Sequence, residues 1–232
     1  MTHLLAAQGK GQLMQADVLN NAPVIVVAGS ETTATLLSGV TYYLLTNPRV
    51  YDKLKKEVRG TFNSDKEITI DRIGDLPYLL AVLDEALRLY PPGANPHLRR
   101  IPPEGAILGG KFIPGNTAVG MNQYVVHRSE ENFARPDEFI PERWIDGDQE
   151  PWKNDRREAL QPFSFGPRNC IGRNPAWKNS LAYIEMRLIL AKMTYKFDLE
   201  LAPECKDWLD QKVFLVWEKK PLMVKMKLAK NM

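Results

Sequence analysis

The chain has 232 residues, 44% of them apolar, 25% charged and 9% aromatic, with a net charge of +3. This is the balance of an ordinary globular protein with a buried core, and the charge is too mild for a nucleic-acid binder, so no nucleic-acid partner is expected. Two cysteines, Cys170 and Cys205, are too few for a secreted disulfide scaffold and suit a reducing compartment.

No window reaches the roughly 18 consecutive apolar residues of a membrane span. The N-terminus has no basic block followed by an apolar one, so no signal peptide is read there. From Asp17 to Thr46 runs a long, mostly apolar helical segment interrupted by Pro23 and Gly29, and a kink is expected near each. Asn47 and Pro48 restart a helix that Gly60 should stop, and Pro77 opens another that Pro91 and Pro92 end. Between Ala94 and Val119, short apolar pieces punctuated by Gly and Pro read as a small antiparallel sheet with tight turns. Arg135 to Asp148 reads as an irregular loop with aromatic anchors. A periodic helix, "LAYIEMRLILAKM", follows Cys170, and strands are expected near residues 195–201, 213–217 and 222–228. The fold class is mainly α with small antiparallel β-sheets.

The segment "PFSFGPRNCIG" sets Cys170 between glycines at the mouth of that helix. Positive charge and free backbone N–H groups stabilise a thiolate, and a helix N-terminus with Arg168 nearby would supply both. Gly166 and Gly172 would let the backbone pass close to something flat, while Phe163 and Phe165 would keep water away. This describes a thiolate presented to a large planar apolar ligand with anionic groups, as haem is. A buried core cysteine beside a Gly-rich turn is the plain alternative. A nucleophilic cysteine needs a nearby base, and the histidines are His3, His97 and His127.

With its full F-x-x-G-x-R-x-C-x-G pattern, the segment resembles the haem-binding loop of the cytochromes P-450, the haem-thiolate monooxygenases. Three further segments resemble the family in its order. "EALR" places Glu85 and Arg88 one turn apart, a spacing also common on solvated helices. In the family these two join the arginine of a "PER" segment, here Arg143, in a buried ion network. "AGSETT" resembles the oxygen-activating stretch: Ala28 and Gly29 make room over the iron, and Glu31 and Thr32 match the acid–alcohol pair that relays protons. A Thr hydroxyl that breaks helical bonding there would widen the groove, whereas hydroxyls back-bonding in an ordinary helix are the plain alternative. "PHLRR" sits where the family binds a haem propionate, favouring Arg99 over Arg100 and His97, with Arg168 as the second propionate partner; a solvated basic edge is the alternative for the pair.

The resemblance covers most of the chain and is strongest to filamentous-fungal members acting on secondary metabolites. It implies haem b with an axial thiolate from Cys170, oxygen insertion into a small lipophilic substrate using O2, and electrons from an NADPH-dependent flavoprotein reductase. Full-length relatives would sit on the cytosolic face of the endoplasmic reticulum membrane. Residues 1–232 are read as a single partial domain, the haem-binding C-terminal portion of the fold, with no anchor and hence cytosolic. The alternative is a truncated, non-catalytic remnant that at most binds haem. Two departures stand out. Cys170, Gly172 and Ala176 fit the family pattern, but "WKNSLA" after them adds six residues, a rotation of about 600°, about 120° short of two turns. Pro23 also removes a backbone donor upstream of the oxygen site.

Overall fold

A computed structural model describes residues 2–173 and 180–229. Ala176 and residues 177–179 of the extra segment lie outside the described residues. Helix α1 (Thr2–Gly9) leads into α2 (Gln15–Thr46), which runs without interruption through both Pro23 and Gly29. Neither residue divides the helix. Pro23 forfeits the bond to the carbonyl of Leu19 and crowds that carbonyl, the usual cause of a kink, and a glycine in an exposed helical stretch lowers helix propensity by about 1 kcal/mol without breaking the ladder. At the start of α2 the Asp17 carboxylate accepts from the Met14 N–H at 2.8 Å, satisfying one of the orphan donors. Among the described residues α2 is the one helix long and apolar enough to cross a membrane by length and composition. Its C-terminal half, with Leu36, Val40, Tyr43 and Leu44, is nevertheless core.

Helix α3 (Pro48–Thr61) starts at the expected proline and carries Gly60 inside its last turn rather than beyond it. Helix α4 (Pro77–Leu89) is the centre of the molecule, buried on nearly every side. Leu76 cannot cap it, so Glu57 of α3 does, its carboxylate accepting from the N–H groups of Tyr78 at 2.7 Å and Leu79 at 2.8 Å. Burial outweighs these bonds and pushes the Glu57 carboxyl up. Where α2 meets the end of α4, Gly39 is required by contact: a Cβ there would lie 2.4 Å from the Tyr90 ring.

The region after α4 folds as expected into short antiparallel pairs. Strand β1 (Arg99–Arg100) pairs with β4 (Ala118–Val119), and β2 (Ala106–Leu108) with β3 (Lys111–Ile113). The two-residue turn Gly109–Gly110 has φ of 56° and 77°, conformations that glycine adopts without strain. Helix α5 (Gln123–His127) is capped by Asn122, and a long loop with short 3₁₀ turns follows.

Helix α6 (Leu181–Lys196) buries Tyr183, Met186, Arg187, Leu190, Ala191, Thr194 and Tyr195, spaced three and four apart along one face. That helix absorbs Tyr195 and Lys196, which the sequence places in a strand. Strand β5 (Phe197–Leu201) pairs with β6 (Val224–Leu228), Phe197 opposite Leu228 and Leu201 opposite Val224. The expected strand at 213–217 is instead a tight excursion closed by one bridge between Val213 and Trp217. Its alternation comes from side chains seated against α4: Trp217 stacks on Tyr90 with centroids 4.5 Å apart. Cys205, expected in a polar connection, is buried in the core.

Candidate functional site

Backbone geometry shapes the Cys170 loop. Ser164 and Gly166 both adopt positive φ, 60° and 81°, so the chain reverses tightly. The Cys170 N–H then donates to the Phe163 carbonyl at 2.9 Å, and the Asn169 N–H to that of Gly166 at 3.1 Å. The result is a hairpin-like turn with an exposed thiol. Helix α6 is capped by Ser180, whose hydroxyl accepts from the Tyr183 N–H at 3.3 Å. One expectation is corrected. Phe165 does not exclude water, being 76% exposed, because the turn at Gly166 throws it outward. Phe163 points inward and packs on Tyr183 with centroids 5.7 Å apart.

Cys170 opens into a cavity of about 560 Å³. Thr32 and Leu36 of α2, Leu87 of α4, Arg99 of β1, and Phe163 and Arg168 of the cysteine loop share its lining. The walls are largely apolar, and the polar groups in the lining include the Cys170 sulfur, the guanidinium groups of Arg99, Arg100 and Arg168, His97 and the Thr32 hydroxyl. Among the described residues neither Arg99 nor Arg168 forms an ion pair with a protein carboxylate; Arg99 donates only to the carbonyls of His97 and Leu98. A soft sulfur donor, an apolar slot and two cations free to take carboxylates fit haem, a flat macrocycle bearing two propionates. Arg100 and His97 line the same cavity. Ala28 and Gly29 are exposed on α2 outside its lining; Gly166 of the cysteine loop is half-buried and also outside it, and its role here is conformational.

The Glu31–Thr32 pair is split. Thr32 reaches the cavity, but its hydroxyl donates to the Ala28 carbonyl at 2.6 Å, the back-bonding alternative. Glu31 lies outside the lining and takes the Lys219 ammonium, with the Thr35 hydroxyl donating to it at 3.4 Å. The hydrogen bond from Lys219 holds the Glu31 carboxyl below its usual range, with burial opposing it. Nothing in the sequence marks Lys219, which is 188 residues away.

Glu85, Arg88 and Arg143 meet in the core, all fully buried. Arg88 donates to Glu85 at 2.9 and 2.8 Å, and Arg143 donates at 3.1 Å. The Ile140 N–H and the Trp144 indole, each at 2.9 Å, complete the carboxylate's shell. Arg88 also reaches the carbonyls of His127 at 2.7 Å, Pro136 at 2.5 Å and Glu138 at 3.1 Å, tying the long loop to α4. A fourth member, Asp155, pairs with Arg143 and accepts from the Ala134 N–H at 2.7 Å. It lies in a polar run with no spacing signal. The neighbouring His127 is buried, and desolvation first, then the Arg88 charge, push its pKa down to about 4 against the hydrogen bond at the Arg88 carbonyl.

A model of the cytochrome P-450 family matches residues 1–226. The chain is 54% identical to the cytochrome P-450 monooxygenase astA of Talaromyces wortmannii over 89% of its length and 40% of that protein's. It is 50% identical to the averantin hydroxylase of Dothistroma septosporum, over 94% of this chain and 41% of that one. With the trichothecene C-4 hydroxylase of Trichoderma arundinaceum it shares 46% identity, over 97% of this chain and 46% of the relative. The chain thus spans less than half the length of the curated relatives it matches. Matched along nearly all of its own length, the chain belongs to the cytochrome P-450 family.

Proposed function

We propose that residues 1–232 form the haem-binding part of one monooxygenase domain that oxidises a small lipophilic molecule with O2. The observation that carries this reading is the single cavity onto which Cys170, Arg168, Arg99, Phe163 and Thr32 converge. Bound haem supplies oxygen activation, with electrons from an NADPH-dependent flavoprotein reductase on the cytosolic face of the endoplasmic reticulum membrane.

The chain's own residues do the rest. Cys170 presents its sulfur from a turn whose backbone bonds to Phe163 and Gly166 hold it facing the slot. Arg99 and Arg168 orient the group through its carboxylates. Phe163, Leu36 and Leu87 give the slot apolar walls. Ala28 and Gly29 keep the α2 surface free of bulk near Thr32, the hydroxyl that passes a proton into the cavity, with Glu31 as the acid behind it. Glu85, Arg88 and Arg143 fix the loop that backs the cysteine. Fungal secondary metabolites are the substrate class favoured by the named activities of the relatives.

The test is reconstitution with haem followed by reduction under carbon monoxide. The red-shifted Soret band of a thiolate ligand is expected. A protein that retains haem yet shows only the band of a neutral ligand in every preparation overturns the assignment.

A further inference from the structure

The turn that carries Cys170 has little to hold it from within. Of its large apolar side chains, Phe165 and Ile171 are exposed, and Phe163 packs against the core. Phe163 also carries the carbonyl that accepts from the Cys170 N–H at 2.9 Å, and Ser164 after it takes the positive φ of 60° that starts the reversal. Gln123 donates to the Gln161 carbonyl at 2.8 Å and so holds the entry to the turn, while Arg173 reaches the Ser164 carbonyl at a long 3.4 Å. The set of the turn therefore follows the seat of the Phe163 ring.

That seat is Tyr183, in the first turn of α6, with ring centroids 5.7 Å apart. Tyr183 is buried and held on two sides. Its hydroxyl donates to the Asp84 carboxylate of α4 at 2.7 Å. The Arg187 guanidinium, one turn further along α6, lies 5.7 Å from the centroid of its ring. Burial first, then the Asp84 charge, pushes the phenol well up, so it keeps its proton and remains a donor. A buried tyrosine ring can pack anywhere that is apolar, but its hydroxyl must find a partner, and here that partner fixes the direction of the ring. Asp84, Tyr183 and Phe163 thus link α4 and α6 to the backbone bond at Cys170.

We propose that Tyr183, held by Asp84, is a positioning residue that sets the Cys170 turn, acting through the Phe163 ring to keep the sulfur facing the slot. What the sulfur is presented to rests on the proposed function; that Tyr183 sets the turn does not.

The experiment compares Tyr183→Phe, Tyr183→Leu and Asp84→Asn, first without haem and then loaded with it. Without haem, hydrogen exchange of the Cys170 amide is followed by NMR, with the amides of α4 reporting on the fold as a whole. Tyr183→Phe keeps the ring and loses the bond to Asp84. It is expected to lower the protection of the Cys170 amide roughly five-fold, the factor that one ordinary hydrogen bond is worth, with α4 unchanged. Tyr183→Leu removes the seat and should lower it further, and Asp84→Asn, which still offers an oxygen to the hydroxyl, should keep it near the parent value. If Tyr183→Leu does not fold, Tyr183→Phe decides. In the loaded protein, the share of the reduced carbon monoxide complex with the thiolate band should fall in Tyr183→Phe and stay high in Asp84→Asn. Unchanged Cys170 protection in Tyr183→Phe, or a loss shared equally by α4, overturns the proposal, and so does faster exchange with a parent-like thiolate share. Failure of the proposed function looks different: the parent itself would show only the band of a neutral ligand, and Cys170 exchange would still decide whether Tyr183 sets the turn.

Discussion

Arg143 donates from Nε to Glu85 Oε1 at 3.1 Å across 58 residues of sequence, with both side chains fully buried. A buried charge is tolerable only when its partners are complete, and here each ion has several. Glu85 accepts from Arg88, Arg143, the Ile140 N–H and the Trp144 indole. Such a pair adds little net stability, whereas removing one side strands the other.

Glu85→Gln is therefore expected to destabilise the fold by about 3–5 kcal/mol, because two guanidinium groups lose their shared countercharge. Arg143→Lys should also destabilise it, since an ammonium cannot span Glu85, Asp155 and the Ala134 carbonyl together. Urea unfolding checks both: the midpoint should fall with an unchanged slope. Midpoints within error of the parent would show that the network does not brace the loop.

The two cysteines should separate cleanly by spectroscopy. Cys170 is exposed at the cavity, whereas Cys205 is buried and its Sγ accepts from the Met223 N–H at 3.2 Å. Cys170→Ser is expected to remove the thiolate-type carbon monoxide spectrum, and Cys205→Ser to leave it intact. The opposite pattern would move the ligand to Cys205 and undo the site assignment.

Much of this site was legible in the sequence because its signals are local. The glycines, Arg168 and Cys170 are packed into one short loop, and the helix-period spacing of Glu85 and Arg88 puts them on one face. Prolines marked the starts of α3 and α4 for the same reason: a missing N–H matters little at a first helical position. What escaped depends on partners far along the chain. Asp155 and Lys219 are ordinary charged residues until the fold brings them to Arg143 and Glu31. The false strand at 213–217 arose because Trp217 is buried by stacking on Tyr90, and burial by stacking looks like strand alternation. Pro23 and Gly29 do not divide the 32-residue helix that carries them.

His127 makes stability depend on pH. In the folded chain it is buried with its pKa pushed down to about 4, against 6.5 for an ordinary histidine. The unfolded chain therefore binds the extra proton below about pH 6.5 while the folded one does not. Stability is full above that value and is lost as pH falls toward about 4, by roughly 3 kcal/mol for a shift of this size. His127→Gln should flatten this limb of the stability profile between pH 4 and 6.5. An unaltered limb in the variant would assign the acid sensitivity to other groups.

A polypeptide of residues 1–232 by itself is expected to show negligible turnover. Val24, Ile25, Val26 and Val27 form an exposed apolar run on α2 just before Ala28 and Gly29, and Leu98 and Ile171 are exposed beside the cavity residues Arg99 and Cys170. Apolar surface of this extent favours self-association or a covering partner. Arg99, Arg168 and Cys170 are themselves exposed, so water reaches the sulfur and both cations. Charges in contact with water hold a carboxylate-bearing ligand less tightly than desolvated ones. A weaker site also returns less stabilisation to the fold, which grows only as RT ln(1 + [L]/Kd). The measurement is expression of these residues, reconstitution with haem and a reductase, and product analysis with NADPH and a panel of lipophilic substrates. Haem lost on gel filtration and NADPH oxidised without product are the expected outcomes. Sustained, substrate-dependent product formation that disappears in Cys170→Ala would show that the exposed apolar run and the open cavity edge are no obstacle to catalysis.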